Sequence, residues 1–400
     1  MRVGVYMGSH PPETGGMYAF QSDLLAAFAG LAAESRHEFV VLIGAEHAAA
    51  VRRSVRANNV SVVGMAERSW FDRVQFMLQR DFAFARSKWR RKGRLQRAAE
   101  DSGVDYLWFL GSDCHVLDIP YCALVWDLQH RTLPWFPEVS HGGEWDAREA
   151  SNTWFLRRAA AVITGTRTGA DEISRFYQVQ PELIHVLPHP TPADALAAAP
   201  QQGREVLKRY GITPPYLFYP AQFWAHKNHV NLLHALREMR VTHGMPVQLV
   251  LVGSDKGNRA HCERVAADLG IAEAVRYPGF IPREDLLALY EHAAALTYVS
   301  FGGPENLPPL EAFAIGCPVI AADVPGAREQ LEECAFFVNP AKPGDIALAC
   351  KRVIGEPDLR ARLIASGKTR AARWTGQSFV RGVFRILDDF EAVRRTWGRA

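Results

Sequence analysis

The chain has 400 residues, 48% of them hydrophobic and 22% charged, with a formal net charge of +3. That length exceeds what one hydrophobic core ordinarily organises, so two domains are expected, and so small a net charge argues against a nucleic-acid binder held by bulk electrostatics. The cysteines (Cys114, Cys122, Cys262, Cys317, Cys334 and Cys350) show no C-x-x-C spacing and sit among apolar or small residues, which fits buried free thiols in a reducing cytoplasm.

Residues 1–7 run straight into a strand pattern, and no apolar run approaches the roughly 20 residues of a membrane span, so neither a signal peptide nor a transmembrane helix is expected. Short β-branched or aliphatic runs recur at 2–7, 38–43, 59–63, 105–110, 121–126 and 160–164, each followed by a stretch of helical spacing. Such alternation predicts an α/β fold whose parallel sheet is covered by helices on both faces. The first loop contains Thr14-Gly15-Gly16 and lacks the G-x-G-x-x-G fingerprint, which removes the best signal for hydride chemistry. The Gly15-Gly16 pair permits close backbone approach to a ligand, and a plain tight turn explains it equally well.

Residues 68–97 hold ten basic residues against only Asp72 and Asp81, with six Trp or Phe residues interleaved. Two readings stand for this stretch: a face that meets anionic lipid, and a solvated helical face with its aromatics in the core. No nucleic-acid reader motif accompanies the charge, so no nucleic-acid partner is expected. At the end of the run 121–126 comes Trp126-Asp127-Leu128-Gln129-His130. Asp127 and His130 are titratable candidates for orienting or deprotonating an acceptor hydroxyl, and Trp126 offers an aromatic face to a sugar; a structural role for a lone His or Asp is the competing reading.

The stretch 187–202 is rich in Pro and Ala and reads as a linker. The strand–helix pattern then restarts, with strands expected at 216–219, 247–252, 275–277, 295–299 and 318–322, and residues 376–396 read as a long amphipathic helix. The expected organisation is an N-terminal domain 1–190, a linker 191–212, a C-terminal domain 213–375 and a helix 376–400 that packs back toward the N-terminal domain. Two such domains are expected to face each other across a cleft, where ligands of open α/β sheets bind.

The densest chemical signal is the run 300–320, SFGGPENLPPLEAFAIGCPVI, a strand end passing through a Gly/Pro turn into a helix. Free amides around Asn306 and Leu307, with the helix dipole, suit a diphosphate, and Glu311 offers two acceptor oxygens to a ribose diol. The competing reading is an ordinary βα unit with Glu311 as a surface carboxylate.

This run resembles the E-x7-E region of glycosyltransferase family 4, whose members have the GT-B fold of two Rossmann-like domains and retain anomeric configuration. Gly253-Ser254, Gly279-Phe280-Ile281, the run 314–321 and the run 220–228 are similar to that family in order and spacing. The resemblance implies that Lys227 and the residue at Gln222, an arginine in most of the family, meet the donor diphosphate. It further implies that Gly253 lies at the donor, that Phe280 and Ile281 hold the nucleobase through backbone groups, and that Thr14, Gly15 and Gly16 face phosphate and acceptor. Two departures stand out: eight residues before Glu311 the first glutamate of the motif is Gly303, with Glu305 as the substitute carboxylate, and the family's His-Asp pair is Trp126-Asp127. The resemblance implies a retaining, metal-independent transferase, with no cofactor, that moves a hexose (mannose or a deoxyhexose) from a nucleotide-diphosphate sugar. Its acceptor would be a saccharide or lipid-linked saccharide of envelope polysaccharide or lipopolysaccharide, with Asp127, His130, Lys227 and Glu305 as the catalytic candidates. No D-x-D pair, the usual metal-diphosphate clamp, occurs in the sequence. A nucleotide-sugar epimerase or hydrolase, and a non-catalytic nucleotide-sugar-binding subunit, are the alternatives.

Overall fold

A computed structural model describes residues 1–8, 16–66, 74, 93–113, 115, 117–198 and 203–398. The chain forms two units, one of Met1–Thr132, Ser140–Leu187 and Gly376–Ala400, the other of Leu133–Val139 and Pro188–Thr375.

In the first unit, strands β1 (Arg2–Tyr6), β2 (Glu38–Gly44), β3 (Val60–Met65), β4 (Tyr106–Phe109), β5 (Tyr121–Leu124), β6 (Ala161–Thr164) and β7 (Ile184–Val186) form one sheet in the order β3-β2-β1-β4-β5-β6-β7. Every pairing is parallel. Helices cover both faces, so central strands such as Val40-Val41-Leu42 are buried without interruption, as strands of parallel sheets are. The helix Gly376–Arg394 completes this unit by packing on the helix Gly16–Leu31. Its Phe379 meets Phe20 with ring centroids 5.9 Å apart, and its Phe384 stacks on Phe39 at 5.6 Å. Gly382 lets the helix close on Leu187, since a Cβ there would stand 2.7 Å from a Leu187 methyl carbon.

The second unit holds β8 (Tyr216–Pro220), β9 (Gln248–Val252), β10 (Val275–Gly279), β11 (Ala295–Tyr298), β12 (Val319–Ala322) and β13 (Ala335–Val338), again all parallel, in the order β10-β9-β8-β11-β12-β13. Chain progress reverses direction between β8 and β11. In open α/β sheets the loops leaving two such strands run to opposite faces and open a crevice at the strands' carboxyl ends, so the loop after β8 and the turn after β11 border it. The helices Leu307–Ile315 and Pro357–Arg373 pack closely because Gly367 leaves room for the Phe313 ring.

Three features differ from expectation. Two edge strands, β7 and β13, lie outside the expected set; β7 is only three residues long, and the edge positions leave Ile184, His185, Phe336 and Phe337 only partly buried. The start of the expected linker is built into the second unit: the Thr191 N–H donates to the Trp374 carbonyl at 3.0 Å, and the Thr191 hydroxyl donates to the Ala371 carbonyl at 2.8 Å. Residues 133–139, from the first half of the sequence, belong to the second unit. Cys122, Cys262, Cys317, Cys334 and Cys350 are free and buried; Cys114 lies outside the described residues, as does almost all of 68–92. Among the described residues no helix is long and apolar enough to cross a membrane.

Candidate functional site

The loop after β8 is pinned on several sides. The Tyr219 hydroxyl donates to the Lys227 carbonyl at 2.7 Å. Asn228, in the left-handed region at φ 61°, donates its side-chain amide to the carbonyls of Val299 at 2.9 Å and Pro340 at 2.7 Å. The His226 carbonyl accepts the Phe301 N–H at 2.9 Å. Held in this way, the Lys227 ammonium donates to the Tyr298 hydroxyl at 3.0 Å, and that hydroxyl donates to Asn306 Oδ1 at 2.7 Å. A cation is thereby tied to the residue that directly precedes the helix Leu307–Ile315, through a tyrosine at the end of β11.

The turn before that helix is equally fixed. Gln330 accepts the Asn306 N–H and donates to the Asn306 carbonyl, both at 2.9 Å. Gly303 sits at φ 96°, a region where a side chain is strained, so glycine suits this turn. The expected run of free amides is corrected here: the Asn306 N–H is occupied by Gln330, and Pro308 and Pro309 have none, so Leu307 supplies the one N–H of the helix's first three residues.

Glu311 is present but engaged. Its side chain is 7% exposed; Oε1 pairs with Arg283 at 2.6 Å and Oε2 accepts from the Tyr290 hydroxyl at 2.7 Å. Arg283 also grips Asp194 through two bonds of 2.7 and 2.8 Å. Burial disfavours the guanidinium charge, but Asp194 and Glu311 outweigh it and leave its pKa raised. A ribose would reach only the lone pairs these partners leave.

Glu305 departs furthest from expectation. Its side chain is 1% exposed, and Oε1 accepts the His189 N–H at 2.8 Å, so it anchors the 188–190 segment rather than facing a donor sugar. Burial pushes its carboxyl up to about 8. Around the rest of the site, Gln222 accepts from the Trp224 indole at 3.0 Å, and Lys256 lies over that ring. Gly253 is required sterically, because a Cβ there would stand 2.4 Å from the Ala221 carbonyl oxygen. Phe280 is 57% exposed and Ile281 is buried.

In the first unit, Gly16 opens the helix Gly16–Leu31, while Thr14 and Gly15 lie outside the described residues. Trp126 packs edge-on against Phe20 at 5.2 Å, and Asp127 accepts the Gln129 N–H at 2.9 Å just before a short helix. His130 is corrected from base candidate to core residue: it is 1% exposed, bonded to the Tyr177 hydroxyl at 2.9 Å, and burial lowers its pKa. Sequence reasoning missed Tyr298, whose one signal is its place at a strand's carboxyl end, and also Arg283 and Glu138, which carry none.

Residues 205–370 match the family described as Glycosyl transferases group 1. A D-inositol 3-phosphate glycosyltransferase of Acidothermus cellulolyticus is 28% identical over 249 residues, 60% of this chain and 55% of that protein. The O-antigen chain mannosyltransferase RfbU of Salmonella typhimurium is 25% identical over 207 residues, 52% of this chain and 54% of that protein. The aligned stretches thus span about half the length of these curated relatives. The crystal structure of Anabaena HepE in complex with UDP and glucose superposes with a TM-score of 0.70 at 15% identity, covering 97% of this chain and 100% of that one. The chain accordingly has the GT-B fold, and its residues 205–370 are similar to the family described as Glycosyl transferases group 1.

Proposed function

We infer that the protein is a retaining glycosyltransferase that moves a hexose from a nucleoside-diphosphate sugar to a saccharide or lipid-linked saccharide acceptor. The observation that carries this reading is the Lys227–Tyr298–Asn306 chain, which sets a cation beside a helix start at the reversal point of the second unit's sheet. In the proposed reaction the bond from the anomeric carbon to the diphosphate breaks, with Lys227 and the Leu307 N–H stabilising the charge that develops on the leaving oxygen. The acceptor oxygen bonds to that carbon on the same face, and its proton passes to the departing diphosphate. No metal step is invoked. Glu311, oriented by Arg283 and Tyr290, is assigned to the ribose hydroxyls, backbone at 279–281 to the base, and Trp126 and Asp127 to the acceptor.

Mannose as the sugar and envelope polysaccharide as the product are supported by the O-antigen mannosyltransferase among the relatives. The basic and aromatic composition of 68–97 supports action at the cytoplasmic face of an anionic membrane. The test is a thermal-shift panel of UDP, GDP, ADP and dTDP on the wild type, Lys227→Ala and Glu311→Ala, followed by mass spectrometry of donor turnover with saccharide acceptors. The reading requires at least one nucleotide to stabilise the wild type and both variants to respond less; an unresponsive wild type refutes it. Donor breakdown without an acceptor would instead indicate a hydrolase.

A further inference from the structure

Within the second unit, residues 133–139 place a carboxylate against the lysine loop. The Glu138 side chain is 6% exposed, and its Oε1 accepts the His226 main-chain N–H at 2.9 Å and also bonds His226 Nδ1. Burial alone would raise the Glu138 carboxyl, but the bonds from the His226 ring and backbone outweigh it and hold it below the ordinary range. Phe136 adds a second contact, its ring centroid 6.1 Å from that of His226 and 5.9 Å from that of Phe301. His226 lies in the single turn Ala225–Lys227, directly before the lysine, and its carbonyl accepts from Phe301 and from the Ser300 hydroxyl.

We propose that Glu138 is a positioning residue for Lys227: by holding both the backbone and the ring of His226, it fixes the turn that aims the ammonium at the start of the helix Leu307–Ile315. The proposal rests on the reading of Lys227 as the diphosphate-binding cation. A lysine side chain free in water samples many rotamers, so a turn fixed on both sides of its backbone narrows the volume its charge explores and pre-organises it for an anion. The Tyr298 bond restrains the ammonium end, and Glu138 restrains the backbone end.

The test compares affinities of the full chain for UDP and GDP with those for uridine and guanosine. Glu138→Gln retains an acceptor for the His226 N–H but loses the charge; it is expected to weaken the diphosphate by about tenfold while leaving the nucleoside within about twofold. His226→Phe, which keeps the main-chain bond and removes the ring bond, should shift affinity the same way by about threefold. In the Lys227→Ala background, Glu138→Gln should add nothing, because both changes act through one cation. Equal weakening of nucleoside and diphosphate, or additive losses in the double variant, overturns the proposal. If Lys227→Ala loses diphosphate affinity and Glu138→Gln does not, the positioning role fails while the donor-site reading stands. A wild type that binds neither diphosphate sinks both.

Discussion

Glu305 offers the sharpest test of the energetics, and the perturbation is Glu305→Gln. The side chain is 1% exposed, and its carboxyl, ordinarily at 4.5, is pushed up to about 8 by burial against the opposing His189 N–H bond and Arg370. Below pH 4.5 the group is protonated in folded and unfolded chains alike. Between there and about 8 only the folded chain keeps the proton, so the folded state binds more protons and loses stability as pH rises. At 1.36 kcal/mol per pH unit, the difference between 4.5 and about 8 amounts to about 5 kcal/mol across that window. Glutamine keeps an acceptor for the His189 N–H and cannot ionise, so the variant escapes the loss. Urea unfolding of both proteins at intervals from about pH 5 to 9 should show the stability of Glu305→Gln relative to wild type climbing by several kcal/mol. Taking the difference cancels the neighbouring His189, which burial lowers to about 3 and which is neutral in both folded proteins. A difference that stays flat within about 0.5 kcal/mol would show that Glu305 is ionised where it lies, and the burial argument would be wrong.

Gly303→Glu places a carboxylate in the turn, but the backbone at φ 96° opposes it and a Cβ would stand 2.9 Å from Asn306 Oδ1. Calorimetry should record a loss of about 1–3 kcal/mol, and an unchanged melting temperature would contradict the strain argument. Tyr298→Phe removes the link between Lys227 and Asn306; about 1–2 kcal/mol of stability should be lost, together with selectivity for UDP over uridine, and retained selectivity would mean that Lys227 is aimed without the tyrosine.

The layered α/β plan was legible because buried parallel strands leave continuous aliphatic runs, such as Phe39-Val40-Val41-Leu42-Ile43 and Leu249-Val250-Leu251. The helix expected at 376–396 is seen as Gly376–Arg394, since its apolar spacing reports the one face it buries. The three-residue strand β7 and the side-chain partners escaped for the same reason: neither is written in local periodicity. His130 read as a base because a histidine after a strand end looks the same whether it faces solvent or Tyr177. Glu305 read as a substitute catalytic carboxylate because nothing near it in sequence announces His189, which is 116 residues away. The strand-to-helix turn at 300–307 was visible, but the loss of the Asn306 amide to Gln330 depended on a distant residue, and only Pro308 and Pro309 were there to be counted.

The division of the first unit between Met1–Thr132, Ser140–Leu187 and the distant Gly376–Ala400 has a consequence for biosynthesis. On the ribosome, Phe20 and Phe39 emerge long before Phe379 and Phe384, the rings that cover them. The second unit needs nothing made after Thr375, so it can mature while the earlier one still shows an oily seam to chaperones. The half translated first is the half sealed last.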